Sequence, residues 1–178
     1  MTEILSEAAW QYTDIYEHLQ FNHINMEARP NSEAIWFELI PTKSKKILFG
    51  SLYRPPNFDA SVFSQEVESI LVNYLKDENE IILLGDFNFD FALPLYGYQQ
   101  KAKNFLQITR AVNLTHTICE CTRITEHSRT LIDLFFSTRP ELYCSGVVPV
   151  GISDHCAIFG IRKLHRETIK IMILNYSE

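Results

Sequence analysis

The stretch Glu80-Ile-Ile-Leu-Leu-Gly-Asp-Phe-Asn-Phe-Asp90 limits what this chain can fold into more than any other. Its apolar run, Ile81 to Leu84, is short and β-branched at its start, which fits a strand buried on both faces better than a helix. Gly85 ends the run, and Asp86 and Asn88 follow two residues apart. Strand side chains alternate with period two, so extended geometry past Gly85 would deliver the carboxylate and the carboxamide to the same face. The stretch also has a plainer account, a polar turn closing a core strand, because Gly, Asp and Asn favour turns for backbone reasons.

Strands and helices are predicted around it. Ile35 to Ile40 and Ile47 to Tyr53 read as strands joined by the polar, lysine-bearing turn Pro41 to Lys46, with Ile47, Phe49, Ser51 and Tyr53 on one face. Arg54-Pro55-Pro56 stops the second strand, since proline cannot donate to a ladder and restricts its predecessor. Asp59 or Ser61 caps a helix whose inner face is Val62, Phe63, Val67, Ile70, Leu71 and Tyr74. After an aromatic loop over 91–98, a second amphipathic helix is expected from about Gln99 to Val112. Further strands are expected at Leu131 to Ser137, Val147 to Val150, Cys156 to Arg162 and Thr168 to Leu174, with Gly151 to His155 a loop. Upstream, Ile4, Leu5, Ala8, Ala9, Tyr12, Ile15, Tyr16 and Leu19 recur at helical spacing, which predicts a helix over 2–20 capped by Thr2.

At 178 residues the chain suits one domain with a sizeable core, and no repeat or linker divides it. A net charge of −6 excludes a broad basic footprint, so any grip on a polyanion must be local or helped by a bound cation. No apolar run approaches a membrane span, and Met1-Thr-Glu-Ile lacks the basic start and apolar core of a secretory signal, so an intracellular place, nucleus or cytoplasm, is expected. Cys119 and Cys121 beside His116 suggest zinc, but no second compact ligand pair follows. All four cysteines, with Cys144 and Cys156, read as free thiols, buried or half-buried.

Four features stand apart: Tyr53 before Pro-Pro, Asp86 with Asn88, Asp133 inside an apolar strand, and Asp154 beside His155. Each has a bland account, as a strand-closing tyrosine, a turn, a satisfied core carboxylate or an exposed imidazole. Their segments in order are Ser51-Leu-Tyr-Arg-Pro-Pro-Asn57, Leu83-Leu-Gly-Asp-Phe-Asn88, Thr122-Arg-Ile-Thr125, Thr130-Leu-Ile-Asp-Leu-Phe-Phe136 and Val150-Gly-Ile-Ser-Asp-His155. Together, over about Ile35 to Arg162, they resemble the endonuclease/exonuclease/phosphatase family, or deoxyribonuclease I-like fold, and within it the endonuclease domains of non-LTR retrotransposons. The resemblance implies an α/β fold, a four-layer sandwich of two mixed β-sheets flanked by helices and truncated at its N-terminus. Residues 31–178 would be a partial domain of that family and 1–30 a helical segment outside the match.

A phosphodiester repels nucleophiles and releases a poor leaving group, and a divalent ion with hard oxygen ligands answers both problems. By the resemblance, Asp86 prepares the attacking water and Asn88 helps place water and phosphate. His155 donates to the phosphate with Asp133 orienting its ring, Tyr53 donates its hydroxyl, and Asp154 lies at the metal end. Arg54 and Arg123 stand as phosphate contacts or as plain salt bridges, both readings open. The implied cofactor is Mg²⁺ or Mn²⁺, weakly held, because the family's early asparagine and metal-binding glutamate have no counterpart among Glu3, Glu7, Glu17 and Glu27. The implied partner is DNA, with a reverse transcriptase domain in a longer parent protein and no membrane. The expectation is a metal-dependent DNA endonuclease of impaired activity. A non-catalytic remnant serving as an interaction module is the alternative, and a phosphatase or sphingomyelinase-type member a third.

Overall fold

The computed structural model describes residues 2–4, 10–15, 20–24, 33–41, 45–75, 80–92, 100–163 and 169–176. In chain order the strands are β1 (Thr2–Ile4), β2 (Trp10–Ile15), β3 (Gln20–His23), β4 (Glu33–Ile40) and β5 (Ile47–Tyr53). Helix α1 (Ala60–Leu75) leads to β6 (Glu80–Asp86), and α2 (Gln100–Ala111) to β7 (Thr115–His116), β8 (Arg123–Ile124), β9 (Arg129–Thr130) and β10 (Asp133–Ser137). Strands β11 (Tyr143–Val148), β12 (Ala157–Arg162) and β13 (Ile169–Tyr176) complete the order. One sheet has six strands in the order β3-β4-β5-β6-β10-β7, another has five in the order β1-β2-β13-β12-β11, and β8 with β9 makes a small hairpin.

The run that opened the sequence analysis is the middle of the larger sheet. Ile81 to Leu84 are at most 1% exposed, as a strand covered on both faces should be. β6 runs parallel to β5 and antiparallel to β10, and α1 makes the crossover that the parallel pair requires. Asp59 caps α1 as expected, its Oδ1 accepting from the amides of Ser61 (2.8 Å) and Val62 (3.0 Å). Val62 departs from the expected inner face and is 43% exposed, while Phe63, Val67, Ile70 and Leu71 are buried.

The two faces of the larger sheet meet different partners. On one, Phe63 of α1 and Phe105 of α2 pack with Phe87 and Phe136, ring centroids 5.2–6.0 Å apart. On the other, β12 presses so close that a Cβ on Gly160 would lie 2.3 Å from the Phe135 ring. The result is an α/β sandwich, with the smaller sheet on one side and both helices on the other. Among the described residues no helix is long and apolar enough to cross a membrane.

The helix expected over 2–20 is not found: β1 and β2 pair antiparallel, β2 pairs with β13, and β3 pairs with β4. Trp10-Gln-Tyr-Thr-Asp-Ile15 also alternates aromatic and β-branched residues, and partners far along the chain decide between the two periods. The helical reading of 5–9 and 16–19 lies outside the described residues, as do 25–30. The cysteines are free, but Cys119 and Cys144 are exposed rather than buried, Cys121 is half-buried and Cys156 buried.

Between the sheets lies a buried ion pair that sequence spacing did not announce. Glu80 opens β6 and Arg162 ends β12; they are 5% and 6% exposed. Arg162 donates from Nη2 to Glu80 Oε2 at 2.8 Å and from Nε to Oε1 at 3.1 Å, and the Tyr143 hydroxyl donates to the same carboxylate. Removing one member strands a buried charge. Arg162→Met is therefore expected to lower unfolding free energy by about 3–5 kcal/mol in urea titrations, and adding Glu80→Leu should recover most of that loss.

Candidate active site

Strand register assembles the site. Pairing sets Glu33 opposite Tyr53, Tyr53 opposite Asp86, and Asp86 opposite Asp133 across β4, β5, β6 and β10. Directly paired residues present their side chains to one face, so these four form a row at one end of the sheet. Phe135 and Glu80 lie on that same face and meet β12, so the row looks toward the smaller sheet. His155, immediately before β12, comes from that opposite side. Its Nδ1 lies 3.0 Å from Asp133 Oδ2 and 3.3 Å from Oδ1. Ligand atoms of Asp86, Asp133 and His155 all fall within 4.8 Å of one another.

The turn after β6 differs from the extended geometry considered from sequence. β6 ends at Asp86, and Asn88 adopts φ +48°, so the two side chains meet through a turn rather than by strand alternation. The Asn88 amide donates to Asp86 Oδ1 at 2.9 Å, and its Nδ2 donates to Asp86 Oδ2 at 3.2 Å and to the Arg54 carbonyl at 2.9 Å. Gly85 makes the approach possible: at φ +133° a Cβ there would lie 1.9 Å from the Leu52 carbonyl oxygen, which no side chain could accept.

Arg54 is placed as a brace. It is 3% exposed and donates from Nε to the Phe87 carbonyl, from Nη1 to the Phe58 carbonyl and from Nη2 to the Asn88 carbonyl, each at 2.7 Å. Its guanidinium also stacks 4.5 Å above the Phe89 ring. The phosphate-contact reading of Arg54 finds a group already occupied by carbonyls. Arg123 donates from Nε to Asp154 Oδ2 at 2.7 Å, and both side chains are partly exposed. The salt-bridge alternative for Arg123 is thus realised here, with Asp154 as its partner. Exposed pairs of this kind are worth about 0–1 kcal/mol, so either member can be exchanged for another ion at little cost.

Thr122 is a positioning residue whose role the sequence did not reveal. Fully buried, its Oγ1 accepts from the amides of Ile132 (3.1 Å) and Asp133 (2.9 Å), while its carbonyl accepts from the Cys156 amide at 2.7 Å. It thereby joins the segment carrying Asp133 to the one carrying His155. A threonine before a short strand carries no special signal, and only the paired hairpin shows its purpose.

The electrostatics follow from burial. Asp86 is pushed up to about 7, first by desolvation and then by the Asp133 charge, against smaller help from the Asn88 amide, His155 and Arg54. For His155, burial opposes the charged ring most strongly. The Asp133 hydrogen bond and charge, with Asp86 and Asp154 adding to them, still carry its pKa above the ordinary value. Tyr53 is raised by burial and by the Asp86 and Glu33 charges. Asp154 is held below the usual carboxylate range by Arg123. The arrangement offers a carboxylate near neutrality as a proton acceptor, an oriented imidazole as a donor, and hard oxygens of the sort a divalent ion takes.

Residues 47–159 match the family described as endonuclease-reverse transcriptase. Among solved structures, the chain superposes on the endonuclease domain of TRAS1, a telomere-specific non-LTR retrotransposon, with a TM-score of 0.67 at 15% identity over 85% of this chain and 73% of that one. It also superposes on an endonuclease/exonuclease/phosphatase family protein from Leptotrichia buccalis C-1013-b, with a TM-score of 0.50 at 21% identity, covering 70% of this chain and 50% of the other. The chain thus spans half the length of the second relative. Identities this low speak to fold. No curated protein sequence matches the chain.

A carboxyl whose pKa is raised on folding holds its proton more tightly in the folded state, so stability falls as pH rises from about 4 to about 7 and the loss is complete above that. His155, raised too, extends the decline past its unfolded value. Urea unfolding without divalent ions should show a fall of roughly 2–4 kcal/mol between about pH 4.5 and 7.5, at about 1.36 kcal/mol per pKa unit. Asp86→Asn should flatten most of it.

Proposed function

We propose, from the premise that this chain belongs to the endonuclease/exonuclease/phosphatase, deoxyribonuclease I-like family, that it hydrolyses phosphodiester bonds in DNA with a divalent ion as an endonuclease of retroelement type. The convergence of Asp86, Asp133 and His155 within 4.8 Å, from elements far apart in sequence, carries the reading. The match of residues 47–159 to the family described as endonuclease-reverse transcriptase supports the retroelement assignment and a parent protein bearing a reverse transcriptase domain, and an intracellular place goes with that reading.

The donor set fits Mg²⁺ or Mn²⁺: carboxylate oxygens predominate, and among the described residues Asp86 is hydrogen-bonded by the Asn88 amides rather than by a basic side chain. Asp86 and Asp154, the latter released from Arg123, would hold the ion. When bound, the ion neutralises phosphate charge and stabilises the departing oxygen. The chain's own residues do the rest. Asp86, poised near neutrality, takes a proton from the attacking water, and Asn88 fixes the carboxylate and helps place water and phosphate. Asp133 holds His155 Nδ1, so Nε2 is the nitrogen that donates to a phosphoryl oxygen. Tyr53, next in the row, donates its hydroxyl to the same group. Arg123, exchanged from Asp154, meets the neighbouring phosphate.

A second reading, a non-catalytic interaction module, draws on the Arg123–Asp154 pair, which ties up the residue assigned to the ion. Nicking of supercoiled plasmid with Mg²⁺ or Mn²⁺ separates the two. Asp86→Ala and His155→Ala are each expected to lower the nicking rate by about 10²–10⁴-fold while the thermal transition remains cooperative. Nicking that survives both substitutions rejects the hydrolase reading, and no nicking by the unaltered chain favours the second one.

A further inference from the structure

We propose that Glu33 is a carboxylate ligand of the divalent ion at this site, standing across Tyr53 from Asp86; the inference rests on the hydrolase reading above.

The argument begins with register. Glu33 opens β4 directly opposite Tyr53, which is itself opposite Asp86. Neighbouring strands lie about 4.8 Å apart, so Glu33 and Asp86 are separated by roughly twice that at the backbone, on one face. The ligand atoms that already converge within 4.8 Å are those of Asp86, Asp133 and His155, so Glu33 would reach the ion by extending its side chain toward Asp86, with oxygen contacts of about 2.1 Å. The pairing sets the two acids on either side of Tyr53.

Glu33 is half-buried as a residue, yet one of its oxygens lacks what the other acids of the two sheets have. Its Oε2 is buried and accepts no hydrogen bond. Glu80 has Arg162 and Tyr143, Asp133 has His155, and Asp86 has two groups of Asn88. A buried acceptor without a donor costs about 1–3 kcal/mol, and a cation is the partner that would relieve it. The row holds three carboxylates, Glu33, Asp86 and Asp133, with His155 as its directly bonded base, a balance that favours a bound cation. Glu38 on the same strand is different: its carboxylate points to the other face and pairs with Lys46 at 3.2 Å.

Mn²⁺ binding, read by electron paramagnetic resonance on the full chain, tests this without recourse to activity. Glu33→Gln should weaken Mn²⁺ binding about tenfold or more, Glu33→Asp should weaken it too by shortening the reach, and Glu38→Gln should leave it unchanged. Unfolding in chelator should show Glu33→Gln no less stable than the unaltered chain, since a half-buried charge with one unpartnered oxygen has been removed. Equal Mn²⁺ affinity in the unaltered chain and both Glu33 variants overturns the inference. If the unaltered chain nicks DNA in that case, the hydrolase reading survives without it. Loss of affinity in Glu33→Gln with no nicking by any variant upholds the ion site and rejects the hydrolase reading, whereas no Mn²⁺ binding by the unaltered chain overturns the site.

Discussion

Asp86 and Asp133 face each other across β6 and β10, two carboxylates in directly paired positions of adjacent buried strands. Like charges so placed repel, and burial, complete at Asp133 and partial at Asp86, leaves little water to screen them. The neighbourhood is arranged around that repulsion. His155 is drawn in from the other sheet to Asp133, and Asn88 folds back to give Asp86 two hydrogen bonds. What is left uncompensated raises Asp86 toward neutrality. A one-residue slip in register would turn Asp86 to the helix-covered face and dissolve the site. The close approach at Gly85 therefore matters beyond its own turn, because it lets β6 lie against β5 in the register that lines up Tyr53, Asp86 and Asp133.

The loops that carry the reacting groups are held by buried residues with no chemistry of their own. Arg54 spends its guanidinium on carbonyls of the turn that follows Asp86, and Thr122 spends its hydroxyl on the amides leading into Asp133. A charged side chain at 3% exposure whose described partners are carbonyls rather than carboxylates is a costly brace. Its benefit is rigidity where a shift of about 1 Å would cost roughly 10²-fold in rate.

Much of this was legible before the structure. The central strand was marked by its continuous apolar run and both helices by their stripes, while Tyr53, Asp86 and Asn88 stood out where strands end, Asp133 inside an apolar strand, and Asp154 and His155 side by side in a loop. The N-terminal region misled because Trp10 to Ile15 satisfies a helical and an extended period alike, and its partner in β13 lies over 150 residues away. Arg54 misled because an arginine beside a turn has the same appearance whether it points to a ligand or to its own backbone. Glu33 went unread for a related reason: it precedes its strand's apolar stretch, and only counting pairs back through the β4–β5 ladder brings it beside Tyr53. Glu80 and Arg162, 82 residues apart, offered no local pattern at all.

The two ends of β6 supply the comparison that separates structure from chemistry. One strand carries an acid at each end, Glu80 buried and Asp86 half-buried, in the same sheet and on the same face. Glu80 is neutralised by Arg162, and Tyr143 satisfies it further, so its charge is spent wholly on joining the sheets. Asp86 meets an amide group and another acid, and the nearest base belongs to that other acid. Had selection at this edge concerned stability alone, an arginine opposite Asp86 would have served as it serves Glu80. Instead the edge gathers Glu33, Asp86 and Asp133 with too few positive charges among them, a deficit that a divalent cation and a phosphate arriving together would resolve.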